Sequence, residues 1–183
     1  MWQSDQKLPK PMKSTFAFLA CLLVAATACA RDLDVATAKK TEVRHGQIGP
    51  RDTIIFYEFT DQAAVLQLNV KHEAGRFTIT GRMQLFAEGT DAEAIGMWIN
   101  NQHSCGLFPE VPKPIVSVDL AADGFRVVES KRKDGEPQEG PMGDKFEDYA
   151  VTFKIAELES DKGFTLKGFS ADTSSFVKIG PSA

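Results

Sequence analysis

The chain contains few of the residues that usually carry chemistry or crosslink a small fold. Its 183 residues include three cysteines, three histidines and two tryptophans. A disulfide framework needs more cysteines, and a domain of about 150 residues buries enough surface to fold without one. No apolar run reaches the roughly 20 residues needed to span a bilayer, which argues against a permanent transmembrane helix. The composition therefore favours one ordinary domain.

Neither the histidines nor Cys105 form a recognisable metal motif. His45, His72 and His103 lie far apart, outside the short spacings typical of zinc motifs. A blue-copper centre needs a cysteine followed closely by histidine and methionine, whereas Cys105 precedes Gly-Leu-Phe-Pro-Glu. We interpret the histidines as solvent-exposed residues and the many carboxylates as ordinary turn residues. The sequence predicts no catalytic set, no metal and no cofactor.

The chain also lacks a basic excess. Its formal net charge is −4, from 21 basic and 25 acidic residues. Removal of residues 1–29 takes away Lys7, Lys10, Lys13 and Asp5, which leaves 18 basic and 24 acidic residues and a net charge of −6. Proteins that bind a nucleic-acid phosphate backbone usually present a basic surface, so we expect no nucleic-acid partner.

The chain up to Cys29 has the organisation of an export signal. A positive start is supplied by Lys7, Lys10 and Lys13. Residues 16–26 form an uncharged apolar stretch, and Arg31 ends the hydrophobic phase. These are the parts of a secretory signal, which is removed from the mature protein. Because Met12 precedes a lysine and residues 1–11 add nothing to a signal, we predict a true start at Met12. We assign residues 1–29 to a signal peptide whose helix is cleaved off.

The end of the leader is compatible with two processing routes. Ala26-Thr27-Ala28 fits the pattern of ordinary signal peptidase, and cleavage there gives a soluble periplasmic or secreted protein. The same residues followed by Cys29 resemble a lipobox, whose cysteine becomes the lipidated first residue. Ala26 departs from the larger apolar residue usual at that position. We favour the second route, which predicts an extracytoplasmic protein, a periplasmic or outer-surface lipoprotein held to a membrane by Cys29.

Beyond the leader the chain divides into a tether and one domain. Residues 30–50 are charged and alternate only weakly, which predicts a flexible tether. Residues 51–183 carry the period-two alternation of half-buried strands and contain no internal repeat. We therefore predict a single domain over this range.

The clearest element of the domain is a β-hairpin over residues 64–86. Apolar residues alternate with polar ones on both sides of a turn at Gly75, which predicts one buried and one wet face. The buried face comprises Leu66, Leu68, Val70, Phe77, Ile79, Met83 and Leu85. Gly81 falls on this face, where a facing side chain can lie close to the backbone.

About eight short strands separated by turn signals predict an all-β fold, an antiparallel β-sandwich. No window after the leader sustains helical spacing, so residues 94–100 are interpreted as a strand. Residues 115–120 and 125–130 are predicted to form a second hairpin around Asp123-Gly124. The long connection at 101–114 suits a strand that changes sheets. It favours a sandwich over the alternative, a small β-barrel.

Two features indicate a possible binding surface. Alternation places Trp98 on the outer face of its predicted strand, where an indole can stack on a sugar or anchor a protein contact. Lys131, Arg132 and Lys133 begin a loop predicted to extend to residue 148, and such loops often carry recognition. The alternative for Trp98 is ordinary packing in the protein interior. The alternative for the three basic residues is a solvated loop tip without a binding role. We predict a non-catalytic binding or structural role, with an unknown protein or glycan partner.

The alternative function is a small extracytoplasmic enzyme. His103 and Cys105 lie in one short segment, and an exported thiol without a disulfide partner is unusual. Nucleophilic catalysis needs a base oriented against the nucleophile, usually from a distant segment. In this hypothesis Cys105 is the nucleophile, and His103 or an acid brought near by folding is the base.

Overall fold

The computed structural model describes residues 30–44, 52–103, 110–140 and 142–181, most of which lie in strands. The elements are β1 (Arg31–Asp34), β2 (Lys39–Arg44), β3 (Thr53–Phe59), β4 (Ala64–Glu73), β5 (Arg76–Leu85), α1 (Ala92–His103), β6 (Val116–Leu120), β7 (Phe125–Arg132), β8 (Gln138–Glu139), β9 (Asp144–Ile155), β10 (Leu158–Ser160), β11 (Phe164–Lys167) and β12 (Ser170–Pro181). No helix among these residues is long and apolar enough to cross a membrane. The predicted signal helix, Cys29 and Cys105 lie outside the described residues.

The strands form three open sheets. A five-stranded antiparallel sheet has the order β2-β3-β4-β5-β6. A second sheet has the order β12-β9-β7, with β8 paired to β9. The third has the order β1-β11-β10, in which β1 runs parallel to β11. The predicted all-β, sandwich-like fold is confirmed, and the sheets do not close into a barrel in the described part of the chain.

The main core is built from the inner face of the five-stranded sheet and from residues of the other two sheets. Alternate residues of β3, β4 and β5 point inward because the side-chain period of a strand is two. The largest fully buried side chains of this core are Leu33, Ile55, Tyr57, Leu66, Leu68, Met83, Phe153, Phe164 and Leu166. Each buried aliphatic or Phe side chain stabilises the fold by roughly 1.5–3 kcal/mol through the removal of apolar surface from water.

The hairpin of β4 and β5 is confirmed. Leu66 lies opposite Met83, and Val70 lies opposite Ile79. Gly81 has the predicted close neighbour, because a Cβ at this position would overlap the Phe125 ring and lie 2.8 Å from Cε2. Two residues of the hairpin differ from the prediction. Phe77, near the turn, is only half-buried, and Gln84, near the other end, is buried on the outer face.

The predicted tether is wrong for residues 31–44. Arg31–Asp34 forms β1 beside β11, and Lys39–Arg44 forms β2 beside β3. The side chain of Leu33 is 0 % exposed and packs in the main core together with Val35. β1 is only four residues long and its partner lies near the other end of the chain. Its alternation is therefore too brief to stand out in the sequence.

The predicted strand at 94–100 is also wrong, because Ala92–His103 is an α-helix. The helix begins with Asp91, whose Oδ1 accepts a hydrogen bond of 2.7 Å from the backbone N–H of Ala94, a typical N-cap. Its buried residues include Ile95, Trp98 and Ile99, at the i, i+3 and i+4 spacing of one helical face. Ile95 and Ile99 also fit a strand, which explains the error.

Helix α1 covers part of the outer face of the five-stranded sheet. A second core forms there from helix residues and outward-facing sheet residues. It comprises Phe56, Ala63, Val65, Phe86, Ile95, Trp98 and Ile99. The structure therefore has three layers at this place: the helix, the five-stranded sheet, and the strands of the other two sheets.

The predicted second hairpin is wrong as well. β6 pairs with β5, whereas β7 pairs with β9 in a different sheet. The turn at Ala122–Gly124 carries the chain from one sheet to the next. The change of sheets predicted for 101–114 takes place at this turn, because β5 and β6 remain neighbours on either side of α1.

The loop predicted over 131–148 is shorter than expected. β7 continues through Arg132 and β9 begins at Asp144. Between them, Gln138 and Glu139 of β8 pair with Phe146 and Lys145. The connection therefore folds back along β9.

Candidate functional site

A cleft lies at the end of the domain where the described chain begins. Its volume is about 660 Å³. Five segments meet there: the start of β1, the β3–β4 turn, the segment between β5 and α1, the start of β6 with the residue before it, and the β10–β11 turn. The lining residues used below are Ala30, Arg31, Asp61, Glu88, Ile115 and Lys162. We call this the amino-terminal cleft.

Arg31 fixes the wall of the amino-terminal cleft. Its Nη1 donates hydrogen bonds to the carbonyl oxygens of Gln62 at 3.0 Å, Ala63 at 3.4 Å and Phe86 at 3.3 Å. Its Nη2 donates to the Phe86 carbonyl oxygen at 3.3 Å, and its backbone N–H donates to that of Gly163 at 3.0 Å. One guanidinium therefore joins the start of β1 to the β3–β4 turn and to the residue that follows β5.

The rim of this cleft combines charge with one exposed aliphatic side chain. Arg31 and Lys162 are balanced by Asp61 and Glu88, so the rim has no net charge among these residues. The side chain of Ile115 is 66 % exposed, which is unusual for isoleucine. Such a surface can contact both polar and apolar groups, and it contains no imidazole or thiol among its described lining residues.

A second polar cluster closes the sandwich where β2 lies beside the free edge of β12. Lys40 Nζ donates to the carbonyl oxygen of Asp172. Glu42 Oε1 accepts from the backbone N–H of Ser174 at 3.4 Å, and Thr53 Oγ1 donates to the Ser174 carbonyl oxygen at 2.8 Å. These side chains satisfy backbone groups that an edge strand would otherwise leave open to another strand. We call this cluster the edge seam.

Tyr57 points into the core beside the edge seam. Burial raises its pKa to about 12, with smaller contributions from the carboxylates of Glu42 and Asp172. Its hydroxyl is buried and has no hydrogen-bond partner among the described residues. A phenol that holds its proton this firmly is a poor acid–base group near neutral pH.

Tyr57 should make the fold sensitive to strong alkali. Its pKa is about 12 in the folded protein against 10 when unperturbed, so the folded state favours the neutral phenol. The resulting stability is complete below pH 10, and about 2–3 kcal/mol of it is lost as the pH rises to 12. Tyr57→Phe should remove that loss, and below pH 10 it should be at least as stable as the wild type. Urea unfolding across this pH range measures both effects.

Tyr149→Phe is the matched control, since it removes the other tyrosine and leaves Tyr57 in place. This variant should keep the alkaline decline of the wild type. A wild type and a Tyr57→Phe variant with the same pH dependence between 10 and 12 would contradict the burial of the Tyr57 hydroxyl.

A polar groove of about 410 Å³ lies on the outer face of the five-stranded sheet, on the part not covered by α1. Its side chains are those of Gln67, Asn69, Thr80, Arg82 and Asp119. Arg82 Nε and Asp119 Oδ1 form an ion pair at 2.6 Å, which raises the pKa of the arginine and lowers that of the carboxyl. Amides, hydroxyls and a charge pair can hydrogen-bond a polar ligand. These residues come from three strands. The sequence pattern therefore identifies each of them as solvent-exposed but does not show that they lie together.

Trp98 is not on an exposed face. The residue is 3 % exposed, and its ring packs edge-on against Phe56 and Phe86 at centroid distances of 6.4 and 5.5 Å. The helix places Trp98 on the same face as Ile95 and Ile99 rather than opposite them. Its prediction as an exposed stacking platform is therefore wrong, and plain packing is the outcome.

The basic residues at the end of β7 and just after it are partly neutralised. Arg132 Nε lies 3.0 Å from Glu147 Oε1, and Lys133 Nζ lies 3.1 Å from Asp148 Oδ2. Lys133 also donates a hydrogen bond to the Ser174 hydroxyl. Lys131 is exposed and forms no ion pair with any described residue. A binding role for Lys131, Arg132 and Lys133 stays a prediction.

The two described histidines are half-buried, so their interpretation as solvent-exposed residues is wrong. The His72 ring packs at 4.9 Å from that of Phe77, and the His103 ring at 5.0 Å from that of Phe56. Within the described residues no group of three or more His, Cys, Asp or Glu side chains is arranged to hold a metal. His45 and Cys105 lie outside those residues, so the thiol hypothesis stays a prediction.

Arg31 is the site residue that the sequence pattern missed. In the sequence Arg31 only marks the end of the apolar stretch. Nothing in the sequence indicates that this residue would donate hydrogen bonds to four backbone carbonyl oxygens.

Comparison with protein-family models, curated proteins and solved structures gives no match.

Proposed function

We propose that the protein is an exported lipoprotein with a non-catalytic binding role, held to a membrane surface by a lipid on Cys29. It is extracytoplasmic in this proposal, in the periplasm or on the outer surface. The observation that carries it is the leader that ends in Ala26-Thr27-Ala28-Cys29. Acyl chains on Cys29 would anchor the domain to the bilayer.

The position of the leader relative to the fold supports this proposal. The first strand begins at Arg31, two residues after Cys29, and Ala30 is exposed. A processing enzyme that cuts before Cys29 would therefore remove only residues that precede the described domain. The β1 strand would remain intact, with its buried Leu33.

The described surfaces support binding rather than chemistry. The polar groove offers hydrogen-bonding side chains and the Arg82–Asp119 ion pair, and the amino-terminal cleft is lined by equal numbers of basic and acidic residues. The first groove residue on β4 is Gln67, three residues and therefore roughly 10 Å from Ala64 at the cleft end of the strand. It would stay open to a protein or glycan partner on a domain anchored at Cys29.

Detergent partitioning tests the anchor. The full-length protein, produced in a bacterial host that processes lipoproteins, should enter the detergent phase of a cloud-point separation. Cys29→Ala should move it to the aqueous phase, because the acylated residue is then absent. Cys105→Ala is the matched control and should stay with the detergent. Aqueous wild-type protein, or a Cys29→Ala variant that stays with the detergent although its mass shows that the leader has been cleaved, would refute the lipid anchor.

A further inference from the structure

We infer that the amino-terminal cleft and its rim form the surface that lies against the phospholipid bilayer. The inference rests on the lipid anchor proposed above and adds the orientation of the domain. A lipidated cysteine is usually pictured at the end of a flexible linker, and residues 30–50 were expected to supply one. Residues 31–34 and 39–44 form strands instead, so the fold begins two residues after the proposed anchor at Cys29.

The chain between the anchor and the fold is too short to allow free rotation. Ala30 lines the cleft, and the Cα atom of Cys29 must lie about 3.8 Å from that of Ala30. Arg31 is already the first residue of β1. Two residues span at most about 7 Å, which is less than the width of two neighbouring strands with their side chains. The acyl chains therefore enter the bilayer beside the rim.

β1 is fixed to the rest of the domain, so it does not detach to lengthen the chain between Cys29 and the fold. The guanidinium of Arg31 donates to three backbone carbonyls, and its backbone N–H donates to Gly163. Leu33 and Val35 are buried in the main core. Release of this segment would expose both side chains to water and break these hydrogen bonds, so the segment stays in place.

The rim has the chemistry of a surface that rests at a bilayer interface. Ile115 is largely exposed and can enter the headgroup region, where an aliphatic side chain loses contact with water. Lys162 Nζ lies 3.4 Å from Asp161 Oδ2, and because both side chains are exposed the flexible lysine can exchange this partner for a lipid phosphate. The acidic residues Asp61 and Glu88 balance the rim, so contact depends on the anchor rather than on charge alone.

The opposite end of the domain provides an internal reference. β4 is ten residues long, beginning at Ala64 beside the cleft and ending at Glu73. A strand of this length spans about 30 Å, roughly the thickness of the hydrocarbon core of a bilayer. Glu73 should therefore lie far from the membrane surface when the rim rests on it.

Site-specific quenching measures this orientation. In the full-length lipidated protein with Cys105→Ser, a fluorophore is attached to Glu88→Cys or to Glu73→Cys. Each protein is placed in phosphatidylethanolamine–phosphatidylglycerol vesicles that carry a headgroup quencher. Quenching at residue 88 should exceed that at residue 73 at least threefold. Equal quenching at both positions would overturn the inference.

Two further measurements separate the inference from the anchor. Co-flotation with the vesicles reports the anchor alone, so a protein that fails to float refutes the proposed lipidation and the orientation with it. A protein that floats with equal quenching refutes only the orientation. Insertion of ten Gly and Ser residues between Cys29 and Ala30 adds roughly 17 Å of flexible chain. Quenching at residue 88 should then fall toward the value at residue 73, and an unchanged value would contradict the role of the short connection.

Discussion

Gly168→Ala should destabilise the domain by about 3 kcal/mol or more. A Cβ at Gly168 would overlap the carbonyl oxygen of Ile155 and lie 2.6 Å from its carbonyl carbon. These are backbone atoms at the end of β9, where Ile155 also donates its N–H to the Phe169 carbonyl oxygen at 2.9 Å. The clash cannot be relieved by a side-chain rotation, so the turn between β11 and β12 must move. The free energy of unfolding in urea measures the effect.

Gly96→Ala is the matched control, and its effect should have the opposite sign. Gly96 lies within α1, and a Cβ there would meet no atom within 4 Å. Alanine is favoured over glycine in a helix, so this change should stabilise the domain by about 0.5–1 kcal/mol. Equal stability of Gly168→Ala and the wild type would show that the turn does not approach β9 so closely.

Trp98→Ala should cost about 3–5 kcal/mol of unfolding free energy, as expected for loss of a large buried aromatic side chain. Its ring fills the second core between α1 and the five-stranded sheet, in contact with Phe56 and Phe86. Met97, one residue earlier, is 47 % exposed, so Met97→Ala should cost less than about 1 kcal/mol. Urea unfolding of both variants gives the comparison.

The fluorescence of Trp98 provides an independent measure of the same packing. It is the only tryptophan outside residues 1–29. Its emission should lie at short wavelength in the folded protein and shift to long wavelength on unfolding, because water then reaches the indole. Emission at long wavelength in the folded protein, or a small cost for Trp98→Ala, would restore the exposed platform predicted from the strand pattern.

Local pairing explains which parts of the fold could be predicted. β4 and β5 are joined by a short turn, so their alternation and the place of Gly81 follow from neighbouring residues. The i, i+3 and i+4 pattern of Ile95, Trp98 and Ile99 was present too. In a segment this short the two isoleucines fit either period, and the N-cap at Asp91 is the signal that distinguishes them.

Pairing between distant segments explains what could not be predicted. β1 finds its partner β11 about 130 residues away, and four residues carry too little alternation to mark a strand. The turn at Asp123-Gly124 has the sequence of a hairpin but joins two sheets, because β6 and β7 each pair more extensively with other strands. The amino-terminal cleft is assembled from five separate segments, and none of them carries a motif alone.

The mass of the mature protein tests the lipid anchor at Cys29 most directly. The full-length protein is purified from membranes of a host that processes lipoproteins, and the intact mass and the amino-terminal peptide are measured. The expected result is a chain that begins at Cys29 and carries a diacylglyceryl group and an amide-linked acyl chain. An unmodified chain that begins at Cys29 or at Arg31 would contradict the anchor.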